Sequence, residues 1–403
     1  MSRGRQIWVR TLEPGERDGA QAAFSTRRVP GDAMRTLVGG TVRPRSGDVV
    51  LARIARLGQH RRIERTDGRR AGLHVGDTVI VAYADRYATD QFESHVPEDL
   101  GPTQLVASGG IASRVITRSL DVRSATDIVP LGLVGDDRGR PLNVVDFGLA
   151  PHLGDKERPR TVAVLGTSMN SGKTTTIHYL VHGLSKAGAR PGATKVTGTG
   201  SGGDYWVMLD AGAHVMLDFT DVGLASTYRH GMPLLERKFS ELVNHLTQAG
   251  CGVNLVEVAD GIFQQETAPL ISSHVFQTTV DAVLFAAGDA MGAAAGVDRL
   301  RELGVNVCGV AGRITRSPLA TREAERATGL PVLSLAQLST PDLVCDLLGV
   351  DPSILEMPAS ASSLAMSPSL PGPDTIDLRE PEEDDEDVSL PDEVAVLHMV
   401  DQR

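Results

Sequence analysis

Cysteine is scarce: Cys251, Cys308 and Cys345 are the only three in 403 residues, far apart and with no C-x-x-C pair. That excludes a disulfide framework and a zinc site of paired cysteines, and it fits thiols in a reducing cytosol. Long apolar runs are missing too. No segment approaches the roughly 20 residues needed to span a bilayer. The N-terminus carries charges but lacks the apolar core of a signal peptide. The expectation is a soluble, cytoplasmic protein without a membrane partner, and nothing in the chain points to nucleic acid.

An even spread of charge is absent as well. Acidic residues outnumber basic ones 51 to 40, yet residues 351–403 alone hold 14 acidic and 2 basic side chains. The preceding 350 residues are almost neutral, with 38 basic and 37 acidic groups. The low isoelectric point therefore reports a tail and not the partners of the folded part. The Pro, Ser and acidic run "REPEEDDEDVSLPDE" reads as disorder, with a docking peptide for a protein partner as the sharper alternative.

What remains divides into four stretches. Residues 1–44 are basic and Gly-containing, with no sustained periodicity, and read as a flexible arm. From 45 to 148, β-branched runs such as "DVVLARIARL" and "HVGDTVIVAYA" alternate with Gly, Asp and His, and "DDRG" at 136–139 reads as a hairpin turn. No helical pattern interrupts them, so a small β-barrel or sandwich is expected. Residues 149–160 form a polar linker. Strands and helices then alternate through 161–350. Strands are expected at 162–165, 192–196, 214–219, 253–258, 282–287, 305–310 and 332–333, and helices at 174–187, 234–249, 297–303 and 319–327. This pattern calls for an α/β fold, a parallel sheet covered by helices on both faces.

The chemistry starts in "VAVLGTSMNSGKTTT" (162–176). An apolar strand runs into a Gly-rich turn and then a helix, whose free N–H groups and positive dipole end face an anion. Gly172 lets the backbone approach phosphates, Lys173 brings a point charge to the β and γ oxygens, and the Thr174 hydroxyl suits Mg²⁺. Gly166, Thr167, Asn170, Ser171, Gly172, Lys173, Thr174 and Thr175 form the expected nucleotide-binding set. The usual phosphate loop has four residues between its first glycine and Gly-Lys-Thr; here five intervene.

Further carboxylates and lysines end the following strands. Lys195 precedes the Thr- and Gly-rich "VTGTGSGGD", which offers N–H groups and hydroxyls to an anion. Asp218 and Asp221 close "HVMLDFTD", where a carboxylate at a strand's C-terminal end suits Mg²⁺. Glu257, in "VNLVEVADG", would be costly to bury unpaired, and Mg²⁺ with Lys173 would compensate it. Asp260 is placed to position water or accept a proton. Tyr228, Arg229, His230 and Glu266 are candidates for the substrate cavity, and Arg313 or Arg316 for the base or phosphates.

The lengthened loop "GTSMNSGKT" resembles that of the dethiobiotin synthetase and cobyric acid synthase group of P-loop NTPases, over about residues 160–335. The resemblance implies an ATP- and Mg²⁺-dependent enzyme that activates or phosphorylates a small metabolite, as a ligase or phosphotransferase. On it, Lys195 matches a lysine that holds the substrate, and Glu257 matches a glutamate that contacts Mg²⁺. Relatives often complete their active sites across a dimer, so a homodimer is part of the expectation. Thr197-Gly198 and Asp218-Phe219 also resemble a second P-loop family, which includes a proposed D-glutamate N-acyltransferase; that would place CoA phosphates in the loop. A third alternative is a nucleotide-switched adaptor or partitioning-type NTPase, although the upstream loop lysine common in such proteins is absent here. The Asn-Lys-x-Asp motif of guanine-specific proteins is missing too, which favours ATP, with GTP as the alternative.

Overall fold

The computed structural model describes residues 7–152 and 154–351; the acidic tail lies outside the described residues. Five strands of the N-terminal half close on themselves. Val49–Arg56 pairs with Thr78–Tyr83, which runs parallel to Ile111–Arg118. That strand pairs with Thr103–Ala107, which pairs with Thr126–Gly135, and the last returns to Val49–Arg56. The result is a small barrel with no free edge within the ring. Val50, Ala52, Ile54, Val79, Val81 and Tyr83 fill its interior. Their neighbours Val49, Leu51, Ile80 and Ala82 point outward, yet are buried in a second cluster with Leu12, Val29, Met34 and Leu37. Burial on both faces explains why "VVL" and "VIVA" are continuous apolar runs rather than alternating ones.

That second layer overturns the flexible arm expected at 1–44. Thr36–Gly40 joins the barrel beside Thr126–Gly135, and Ile7–Thr11 adds to its outer edge. Between them lie a short helix, Pro14–Gly19, a two-residue strand, Gln21–Ala22, paired in parallel with Thr78–Tyr83, and two 3₁₀ turns, Phe24–Thr26 and Gly31–Ala33. Single apolar anchors such as Leu12, Phe24 and Met34 hold this segment down without any period to betray it. The expected turn at 136–139 is present: the Asp136 carboxylate accepts the N–H groups of Arg138 and Arg140.

The second half is a six-stranded, all-parallel sheet. Its order is Val215–Asp218, Pro191–Lys195, Val253–Glu257, Arg160–Gly166, Ala282–Ala286, Val307–Ala311. Helices Lys173–Lys186, Gly203–Asp210 and Pro341–Leu348 cover one face through Ile177, Leu180, Leu184, Met208 and Val344. Helices Met232–Gln248, Ala290–Glu302 and Pro318–Thr328 cover the other through Phe239, Leu242, Val297, Leu300 and Ala324. The strand expected at 332–333 is only a single parallel bridge from Val332 to Val310. The helix expected from 297 begins at Ala290, because the Asp289 side chain caps it by accepting the Gly292 N–H at 2.7 Å. Its first turns are Ala- and Gly-rich and show no apolar period. Gly296 is needed there, since a Cβ would lie 2.2 Å from the Phe285 ring.

No helix among the described residues is long and apolar enough to cross a membrane.

Candidate functional site: the phosphate loop and the barrel seam

Strand register decides what surrounds the loop. Val164, Glu257, Lys195 and Asp218 lie in one row across four adjacent parallel strands. At about 4.8 Å per strand, Glu257 is one spacing from the loop strand, Lys195 two and Asp218 three, or about 14 Å. Glu257 and Lys195 therefore sit beside the loop. Asp218 does not.

The loop itself is sharply bent. Asn170 and Gly172 both take left-handed backbone conformations, at φ 59° and 100°. A Cβ on Gly172 would fall 2.9 Å from the Gly312 backbone, so glycine is required on both counts. Arg313 meets the loop through its backbone, donating its N–H to the Ser171 carbonyl at 3.0 Å, while its side chain is exposed. Helix Lys173–Lys186 starts with no side-chain cap. Its first N–H groups thus remain available to an anion at the loop. Lys173 lies across the loop and donates to the Ser168 carbonyl at 2.8 Å. Burial lowers its pKa, against the pull of Glu257 and Asp260.

Around this loop the structure gathers two lysines and three carboxylates. The Thr174 hydroxyl donates to Glu257 Oε1 at 3.0 Å. Glu257 Oε2 is buried with no partner. Burial raises the Glu257 pKa, though Lys195 opposes the shift. Lys195 is ion-paired to Asp204 and lies 4.0 Å from Glu257. Burial works against its charge, but Asp204 and Glu257 outweigh it and hold Lys195 above its ordinary value. Asp260, in a left-handed conformation at φ 63°, is raised by burial, with Lys173 and Lys195 pulling the other way. A hydroxyl, a carboxylate oxygen without a donor and an excess of one negative charge suit a hard, oxygen-seeking cation such as Mg²⁺. Among the described residues no group of three or more His, Cys, Asp or Glu side chains could hold a metal ion, so most of its ligands would be water and phosphate oxygens.

The expected metal set of Thr174, Asp218, Asp221 and Glu257 is corrected accordingly: Thr174 and Glu257 meet, and the two aspartates do not join them. Arg27 reaches Asp221 at 2.8 Å and Asp218 at 3.3 Å, and Arg28 reaches Asp221 at 3.4 Å. Asp218 also accepts the Thr220 N–H at 2.8 Å, and Asp221 the Asp218 N–H at 2.9 Å. These carboxylates close the sheet edge against the N-terminal segment.

Other candidates lie at the seam with the barrel. Asn170 turns its side chain away from the loop hollow, donating to Asp90 at 2.9 Å. Tyr228 donates to Glu93 at 3.2 Å and packs on Tyr87, with ring centroids 5.4 Å apart. The Arg229 side chain reaches Asp85 at 3.4 Å, and its N–H donates to Glu266 at 3.0 Å. Burial keeps the His230 pKa low. Thr175 is exposed on the first turn of its helix.

Sequence reasoning missed Asp204 and the tyrosine and carboxylates of residues 85–93. Asp204 had a signal: it follows "GSGG" in the first turn of a helix, where a carboxylate is favoured. Its helix is set by the barrel. Glu64 accepts the Gly202 N–H at 2.7 Å, and Trp206 packs over Gly68. Nothing local in "ADRYATD" marks Asp85, Tyr87 or Asp90, because each meets a residue of the other half of the chain.

No protein-family model and no curated protein matches this chain. Among solved structures, similarity was found to the kinase domain of the Escherichia coli tyrosine kinase ETK, at 14% identity over 38% of this chain and 66% of that one, TM-score 0.30. The signal recognition particle receptor FtsY from Elizabethkingia anophelis matches at 14% identity over 49% of this chain and 57% of that one, TM-score 0.28. The signal recognition particle 54 kDa protein from Aeropyrum pernix K1, in complex with GDP, matches at 19% identity over 53% and 52%, TM-score 0.30. This chain thus spans between about half and two thirds of each of those chains, and the functional argument rests on its own residues.

Proposed function

We propose that the chain is an ATP- and Mg²⁺-dependent P-loop enzyme that transfers or activates a phosphoryl group on a small metabolite, seated where the barrel meets the loop. The observation that carries this reading is the meeting of Thr174 with Glu257, whose second oxygen has no partner, beside the open helix end at Lys173. Mg²⁺, when bound, would neutralise phosphate charge there. Lys173 would leave the Ser168 carbonyl for the nucleotide. Lys195, held charged by Asp204 and Glu257, would orient an anionic group of the acceptor or of the phosphoryl group in transfer. Asp260, whose pKa burial raises, would accept a proton from the attacking group.

A nucleotide-switched adaptor is the second reading. What favours it is the direct hydrogen bond from loop residue Asn170 to barrel residue Asp90, through which a change at the loop would reach the barrel.

The test is titration of the full chain with ATP, GTP and CoA, each with Mg²⁺, by calorimetry, alongside Lys173→Ala. Micromolar ATP binding that Lys173→Ala abolishes, with the circular dichroism spectrum unchanged, is the expected result. No binding at millimolar nucleotide would end the proposal, and binding of CoA alone would replace it with an acyl-transfer reading. Turnover only on addition of a protein, with no dependence on small molecules, would select the switch.

A further inference from the structure

One buried cation has no task in the site as described. Arg86 lies in the two-residue strand Arg86–Tyr87, which pairs with Phe92–His95 at the barrel's end. It is 7% exposed. Only one edge of its guanidinium is engaged, through a 2.9 Å bond from Nη2 to Gln91. Nε and Nη1 are buried without partners. Leaving charged donors unsatisfied is costly, and a guanidinium cannot escape by losing its proton. Its carboxylate neighbours are Asp90 and Asp260; neither is within ion-pair distance, and burial still pulls the Arg86 pKa down to about 10. His60, buried close by, is pushed down to about 3 by burial and by the Arg86 charge, so it stays neutral and adds no charge.

The same hairpin is fastened to the phosphate loop. Asp90 takes the Asn170 side chain with one oxygen, and its other oxygen is buried and unpaired. Asp260, which shares the field of Arg86, Lys173 and Lys195, precedes Gly261. That glycine packs so closely on the loop that a Cβ would meet the Thr167 carbonyl at 2.3 Å. Arg86 therefore lies in the hairpin that meets the loop, close enough to Asp260 for each to act on the other's charge. Of the lysines there, Lys195 is engaged by Asp204 and Lys173 by the Ser168 carbonyl.

Resting on the nucleotide reading above, we propose that Arg86 is a binding residue supplied by the barrel, whose free guanidinium edge holds the terminal phosphate of a nucleoside triphosphate seated in the 166–174 loop. Nη2 carries two hydrogens and Gln91 takes one, so one fork, Nη2 with Nε or Nη2 with Nη1, stays open to two phosphate oxygens. The barrel thereby completes the site and distinguishes triphosphate from diphosphate.

The experiment measures the affinities of the full chain for ADP and for a non-hydrolysable ATP analogue with Mg²⁺, in the unaltered protein, Arg86→Gln and Arg86→Lys. Arg86→Gln should weaken the triphosphate by about tenfold or more while diphosphate affinity changes by less than about twofold. Arg86→Lys, which keeps the charge and loses the fork, should fall between, and it stands in for the glutamine variant if that fails to fold. An equal loss for both nucleotides, or no loss for either, would overturn the proposal and return Arg86 to the acceptor or to the core. Failure of the unaltered chain to bind either nucleotide would overturn the nucleotide reading itself, and this inference with it.

Discussion

Two clusters of buried charge lie at the same end of the parallel sheet, on neighbouring strands. At the edge, Asp218 and Asp221 meet Arg27 and Arg28; next to the loop, Glu257, Asp204 and Asp260 meet Lys173 and Lys195. In the first cluster Asp218 Oδ1 and both Asp221 oxygens lie within 3.4 Å of a donor, neither aspartate has a buried oxygen without a partner, and the Arg27 guanidinium also lies 3.9 Å over the Phe24 ring. The second leaves Glu257 Oε2 unpaired, and Ser171 Oγ with it. Satisfied buried charges specify a contact, whereas unsatisfied ones reserve room for something that arrives later. By that criterion the edge cluster holds the N-terminal segment to the sheet, and the inner cluster waits for a ligand.

The largest expected effect comes from breaking the satisfied cluster. Arg27→Leu leaves buried Asp218 without an arginine and Asp221 with Arg28 alone, and should cost about 3–5 kcal/mol in urea denaturation, while the nucleotide affinity of the folded fraction stays within about twofold. Full stability together with a large loss of affinity would reverse the assignment of the two clusters.

Glu257→Gln attacks the other side of the comparison. It should abolish the Mg²⁺ dependence of nucleotide binding, a loss of about tenfold, and leave the ligand-free protein at least as stable. Its pH signature follows from the sign of the shift. The folded-state pKa of Glu257 is raised above its ordinary 4.5 by burial, so the folded protein binds more protons than the unfolded chain. Stability is then greatest below 4.5 and falls as pH rises toward the folded value. Thermal melts across that window should show a shallower fall for the glutamine variant; identical slopes would mean that folding does not raise the pKa of this carboxyl.

Asp90→Ala has the smallest expected effect. It removes one largely exposed hydrogen bond between loop and barrel, worth about 1 kcal/mol or less. Its readout is faster amide exchange confined to residues 85–92, with global stability almost unchanged. Exchange that stays slow there would show that the seam is held by the Tyr87–Tyr228 contact instead.

How far the chain was legible from its residues varies along its length. Gly172, Lys173 and Thr174 were readable because a strand, a glycine turn and a helix start are local backbone chemistry. Glu257 was readable because an acid inside "VNLVEV" has to be compensated. Asp218 and Asp221 looked the same by that rule and proved different, since the arginines that satisfy them lie about 190 residues earlier in a stretch without periodicity. The barrel was legible as short β-branched runs. Its outer layer was not, because Leu12, Phe24, Val29 and Met34 are single anchors among polar residues.

The sequence alone determined the phosphate loop, the alternation that makes a parallel sheet and the β character of the first half; each is set by spacing within one or two elements. Only the tertiary structure decided which carboxylates stand at the loop, that the barrel sets the helix bearing Asp204, and that the hairpin bearing Arg86 meets the loop through Asp90. Those depend on strand order and on contacts between halves of the chain more than a hundred residues apart. Local periodicity carries no record of such pairings: strand register, not sequence distance, sets which charges share a low-dielectric space.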